Sequence, residues 1–215
     1  MKLNWNIFKK KELPDYYYQL PLPNSSVDFF TEIKHLSEKY WNECEINPDI
    51  FGFQIQNGTK WKKGLSENEL ADFQTELNIK FPEELKNFYR TMNGLDKKGI
   101  NVFGSNGTEP NFNPIYYSYP DDLKQIRENI NWIYESNDAK IENAEIPKIF
   151  PITGHRFIIL DKNNQILSMY GDDIIFWSEN LSKLIATDIF DNIKNVTDFE
   201  SNPNYAKPIK FWLSK

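Results

Sequence analysis

What this chain lacks narrows the choices first. It has one cysteine, Cys44, which excludes an intrachain disulfide framework and any cysteine-rich metal site. Only two histidines, His35 and His155, are available for acid–base or ligand roles. None of G-x-x-x-x-G-K-[ST], G-x-G-x-x-G, G-x-S-x-G or H-E-x-x-H occurs, so the usual nucleotide, esterase and zinc-protease signatures are absent. No apolar run approaches the length of a membrane span, and Met1–Lys11 has no apolar stretch of the signal-peptide kind. The expected setting is therefore a reducing cytoplasm with no membrane partner. The sequons at Asn57, Asn106, Asn180 and Asn195 are then incidental. Internal repeats and low-complexity tracts are missing as well.

A basic surplus is also lacking. The formal net charge is −6, which argues against direct nucleic-acid binding because phosphate contacts need a net basic face. The same charge permits an acidic patch that attracts a basic partner. What the chain has in abundance is aromatic residues: 16 Phe, 11 Tyr and 6 Trp. Each buries a large area, so aromatic packing is expected to dominate the core. At 215 residues the chain fits one domain with additions, or at most two small ones.

The strongest local signals lie between Ile146 and Phe190. Arg156–Leu160 and Ile166–Tyr170 are β-branched and aromatic, and the turn composition of Asp161–Gln165 between them predicts a hairpin. Gly171-Asp172-Asp173 is a second turn, feeding a third strand over Ile174–Trp177. Ser178 is placed to cap a helix whose apolar face is Leu181, Leu184, Ile185 and Ile189.

Upstream, residues 1–24 read as an irregular arm with Trp5 and Phe8 available as anchors. Ser25 and Asp28 have capping-box spacing before a helix lined by Phe29, Ile33, Leu36 and Tyr40, fading near Cys44. Ile50–Gln56 alternates and ends in Asn57-Gly58, a hairpin signal with Lys60-Trp61-Lys62 as the return. Ser66 and Glu69 form a capping box before Leu70, Phe73 and Leu77. Pro82-Glu83-Glu84 opens a further helix, with Leu85, Phe88, Tyr89 and Met92 inward and Asn93-Gly94 as its left-handed stop. So short a connection predicts an αα-hairpin. Strand material follows at Ile100–Phe103 and Ile115–Tyr119, then a helix from Pro120-Asp121-Asp122 with Leu123, Ile126 and Ile130 inward. The Phe211-Trp212-Leu213 end is expected to dock on the body.

Three segments, in order, resemble the SMI1/KNR4 family, the SUKH superfamily: 65–94 (LSENELADFQTELNIKFPEELKNFYRTMNG), 146–161 (IPKIFPITGHRFIILD) and 168–181 (SMYGDDIIFWSENL). The first resembles the family's opening helix pair, with Phe81-Pro82 and Asn93-Gly94 carrying its marks. The last resembles the strand-plus-helix end. The resemblance implies an α+β fold, a mostly antiparallel sheet flanked by helices, over residues 64–195. An N-terminal helical and irregular extension over 1–63 and a tail over 196–215 complete the expected layout. It also implies a non-enzymatic role, as a bacterial immunity protein against a polymorphic, often nuclease, toxin or as an intracellular regulatory scaffold.

Candidate chemistry is thin. His35 and Cys44 lie nine positions apart, which at ~100° per residue sets them on opposite helix faces. His155, at a strand mouth, is either a hydrogen-bonded structural histidine or the base of a small hydrolase. Asp161-x-Asn163-x-Gln165 lacks the glycine and distal glutamate of a calcium loop and reads as a turn. Lys60, Lys62 and Lys63 around Trp61 either grip phosphate or are simply solvated. No metal or cofactor is implied. The expected site is an acidic, aromatic-bearing groove that covers a basic toxin domain, built from Glu67, Asp72, Asp172, Asp173, Trp177 and Glu179. Taken singly, each of these six is also explained by solvent exposure or core packing.

Overall fold

A computed structural model describes residues 21–104, 107, 109–190 and 201–213. The arm anchors Trp5 and Phe8, and the sequons at Asn106 and Asn195, lie outside the described residues. Its centre is an antiparallel four-stranded sheet in the order β5 (Lys148–Thr153), β6 (Arg156–Leu160), β7 (Ile166–Tyr170) and β8 (Asp173–Ser178). The expected hairpin is present: Asp161 Oδ1 accepts from the Asn163 and Asn164 amides and closes the β6–β7 turn. The fourth strand, β5, is one the sequence analysis does not assign, and it contains Pro151, which cannot donate to a ladder. It is tolerated because β5 is an edge strand.

Among the described residues, five α-helices flank this sheet: α1 (Val27–Trp41), α2 (Glu67–Leu77), α3 (Glu83–Thr91), α4 (Leu123–Ser136) and α5 (Leu181–Phe190). α2 begins on the expected capping box, with Ser66 Oγ and the Glu69 carboxylate satisfying each other's backbone amides. α1 is capped by Ser26, not by the Ser25–Asp28 pair, because the Ser26 hydroxyl is the one that reaches the Phe29 amide. α5 is capped by Asn180, which accepts from the Lys183 amide, and not by Ser178, which is still in β8. Glu84 of α3 adds a second cap: its buried carboxylate accepts from the Ser182 amide at 3.1 Å. The pair Glu83-Glu84 therefore splits, one outward to Arg90 and one inward across the core.

Two small ladders correct the sequence expectations. α3 stops at Thr91, and Met92–Leu95 is a strand, β2, paired with β1 (Trp61–Lys63). Gly94 has a positive φ, the left-handed region that favours glycine. The constraint there is packing, since a Cβ would sit 2.6 Å from Ser118 Cβ. Trp61 thus pairs with Leu95 rather than back onto Ile50–Gln56. The Asn57-Gly58 turn exists, but Gln54 bridges Ile100 instead. β3 (Gly99–Asn101) pairs with β4 (Asn111–Asn113), whereas 115–119 carries only one bridge, Tyr116 to Thr153.

One continuous core runs through all of this. Phe29, Phe30 and Ile33 of α1 and Trp41 at its end share it with α2–α5, the sheet, Ile209 and Trp212. Phe73, Phe81, Tyr89 and Phe150 form its densest aromatic contact, with Phe73 fully buried. Trp61 is buried and donates to Ser37 Oγ, and Lys62 binds Asp121 and Ser118, while Lys60 and Lys63 are exposed. The C-terminal end docks as expected, with Trp212 Nε1 donating to the Pro147 carbonyl at 2.7 Å.

Candidate functional site

Register decides which side chains meet on the far part of the sheet. Arg156 pairs with Ser168, Ser168 with Ile175, and Tyr170 with Asp173, so these residues stand on one face. The β7–β8 register slips between Ile166 and Leu167, which makes Trp177 the extra residue of a bulge. The bulge brings the indole beneath Arg156, whose guanidinium carbon lies 3.4 Å from the ring centroid. Arg156 also donates to Ser168 Oγ. Burial lowers the Arg156 pKa and the nearby Asp188 carboxylate opposes that shift.

This face is open where the helices end. Tyr170 is 67% exposed, Ile175 50% and Trp177 41%. Trp132 of α4 meets Tyr170 edge-to-face at 5.2 Å and is itself exposed, although α4 is otherwise packed through Ile126, Ile130 and Ile133. His155, exposed at the β5–β6 tip, approaches the other side of Tyr170 at 6.1 Å. Partial desolvation and the adjacent Arg156 charge lower its pKa, which favours the neutral imidazole. It is a surface histidine beside an aromatic ring and an arginine.

The six residues expected to form one acidic groove are divided by the fold. Asp172 and Asp173 form the exposed β7–β8 turn and Trp177 stands two positions of pleat beyond, all on the open face or its rim. Glu179 is close in sequence but serves the interior. It pairs with Lys183 at 2.9 Å and accepts from the Asn202 amide, fastening the returning chain. Desolvation pushes its pKa up, and those bonds outweigh it, so the net shift is downward.

Glu67 and Asp72 belong to α2, which packs at the β5 edge, where Phe73 meets Phe150 and Lys148 donates to the Asn78 carbonyl. Three strand spacings, roughly 14 Å, separate that edge from β8. Glu67 is held by Arg90, whose guanidinium also binds Glu83, and the Arg90 hydrogen bond lowers the Glu67 pKa. Asp72 is exposed and, with Glu69 and Glu76, adds to the field that raises the Tyr119 pKa, after desolvation as the main cause. A single acidic groove is therefore replaced by an acidic helix face on one edge and an aromatic, mixed-charge face on the other.

Sequence reasoning missed Arg156, Tyr170, Ile175 and Trp132. The signals were present. Ile175 and Trp177 alternate with the half-buried Ile174 and Phe176, and Trp132 lies off the Ile126–Ile130–Ile133 stripe. Among the described residues, no group of three or more His, Cys, Asp or Glu is gathered to hold a metal ion, and no helix is long and apolar enough to cross a membrane.

No curated protein matches the chain. The family model for the SMI1 / KNR4 family (SUKH-1) matches residues 64–197, from the turn before α2 to beyond α5 and including the entire four-stranded sheet. Helices flanking antiparallel strands are what that family implies, and the chain belongs to the SMI1/KNR4 family (SUKH-1).

Proposed function

We propose that this chain is a non-enzymatic protein-binding module, an immunity protein that neutralises a polymorphic toxin, of nuclease class, by covering its active site. The observation that carries this is the open sheet face: Tyr170, Ile175, Trp177 and Trp132 stay exposed around a stacked arginine, on strands fixed by a packed core. Large exposed aromatics on a rigid platform are what binding hot spots are made of, and they cost solvation when nothing covers them. Membership of a family with immunity-type members supports the same conclusion.

The mechanism is occlusion. The aromatic centre supplies the buried contact, and Asp172 and Asp173 at its rim meet a basic partner and speed its approach. Added salt should therefore slow association more than it speeds dissociation. Glu67 and Asp72, on the other edge, and Glu179, tied to Lys183, stand outside this contact. A regulatory scaffold would use such a face equally, and co-expression separates the two. The chain should restore growth to a host expressing a toxin encoded beside it. Failure to rescue would overturn the immunity assignment and leave the scaffold.

A further inference from the structure

The four-stranded sheet has two edges, and they are finished differently. The β5 edge is guarded: Pro151 removes a donor, Lys148 donates to the Asn78 carbonyl, and Thr153 bridges Tyr116. The β8 edge, Asp173-Ile174-Ile175-Phe176-Trp177-Ser178, carries no proline, lysine or arginine. The returning chain is tied down just beyond it, where Glu179 accepts from the Asn202 amide. Among the described residues, no backbone hydrogen bond outside the β7–β8 ladder reaches residues 173–176. An edge strand turns alternate N–H and C=O groups outward, so this stretch presents an unpaired row of donors and acceptors. Ile175 and Trp177 stand exposed along the same row. Asp172 and Asp173 close its turn end, both exposed and in no ion pair among the described residues.

We propose that the β8 edge takes an extended segment of the partner protein as a fifth strand, with a lysine or arginine of that segment set against Asp173. Main-chain hydrogen bonds hold such a strand, and its alternate side chains supply the specificity. One set of those side chains continues the open face beside Ile175 and Trp177, so edge and face form one contact surface. The inference rests on the protein-binding reading and states how the partner is held. The competing occupant is a second copy of this chain, paired through its own β8. That strand offers no cation, so self-pairing leaves Asp173 unmatched. A basic segment answers both turn carboxylates and suits a chain of net charge −6.

The test uses the whole chain and a synthetic strand, acetyl-Thr-Val-Thr-Val-Thr-Lys amide, followed by NMR and amide hydrogen exchange. In antiparallel pairing its lysine meets Asp173 and its valines fall beside Ile175 and Trp177. The outward amides of residues 173–176 should exchange about ten-fold more slowly once the peptide stands at about ten times its dissociation constant. A contact made only by side chains on the face would shift resonances and leave that exchange unchanged. Replacing the peptide lysine with glutamate should weaken binding about five-fold, and Asp173→Lys should reverse the preference. Should that variant disturb the turn, Asp173→Asn carries the test, since it should bring the two peptides close together in affinity. Three results would overturn the proposal: unchanged exchange at about 5 mM peptide, equal affinity of the parent for both peptides, or a preference that survives in a folded Asp173 variant. Protection that grows with protein concentration alone would also overturn it and assign the edge to a second copy. Host rescue without edge protection removes this strand site and keeps the immunity function. Edge protection without rescue does the reverse.

Discussion

The chain holds two aromatic clusters of opposite fate. In one, Phe73, Phe81, Tyr89 and Phe150 pack between α2, α3 and β5 with ring centroids from 5.1 to 6.1 Å apart, and all four are buried. In the other, Trp132 meets Tyr170, and Trp177 lies under Arg156, yet all three rings remain substantially in water. Both sit on the same sheet. The residue types are alike, so the difference is in what they do: the first cluster holds the fold, and the second is held by it. An exposed ring adds little to folding, and binding is the use we propose for it.

That contrast can be broken most forcefully in the core. Phe73→Ala should cost about 3–5 kcal/mol of stability by chemical denaturation, because it removes a fully buried ring touching four others. A loss near zero would mean the two clusters are not energetically distinct. Next comes Glu84, the buried acid that ties α3 to α5. Glu84→Ala should cost about 1–3 kcal/mol by leaving the first amides of α5 unsatisfied.

Burial raises the Glu84 pKa above its ordinary 4.5. The folded state therefore binds this proton more tightly than the unfolded chain does. The stabilising contribution of that proton is full below 4.5 and is lost as pH rises through the folded value. Glu84→Gln removes the titration, so the stability of the parent relative to this variant should fall as pH rises through that window. A flat difference would contradict the burial argument.

At the exposed cluster the expected stability effects are smaller. Tyr170→Ala and Trp177→Ala should each shift unfolding by less than about 1 kcal/mol while removing partner binding. Smallest of all, Glu67→Gln on the surface Arg90 fork should leave both stability and binding close to the parent, checked by chemical denaturation and by pull-down of the partner. A large binding loss there would restore α2 to the contact surface.

Much of the fold could be read from local pattern, and the reasons are specific. The β6–β7 hairpin, the α2 capping box and the α4 stripe are each fixed by residues near one another in sequence. The errors came where a distant partner decided. Gly94 looked like a helix stop and is shaped by Ser118, and Trp61 pairs with Leu95, thirty-four residues on. The caps of α5 and the strand β5 likewise depend on Glu84 and on sheet order. Of the site, the Asp172–Asp173 turn and Trp177 were legible as surface candidates. Their separation from Glu67 and Asp72 was not, because only the strand order places β5 and β8 at opposite edges. Arg156 could be found only through the bulge that turns Trp177 beneath it.

The most direct test is host survival with a toxin encoded beside this chain, comparing the parent with a Tyr170→Ala/Trp177→Ala variant whose unfolding midpoint matches it. Survival with the parent and death with the variant is the expected outcome. Equal protection by both would contradict the assignment of the open sheet face as the binding surface.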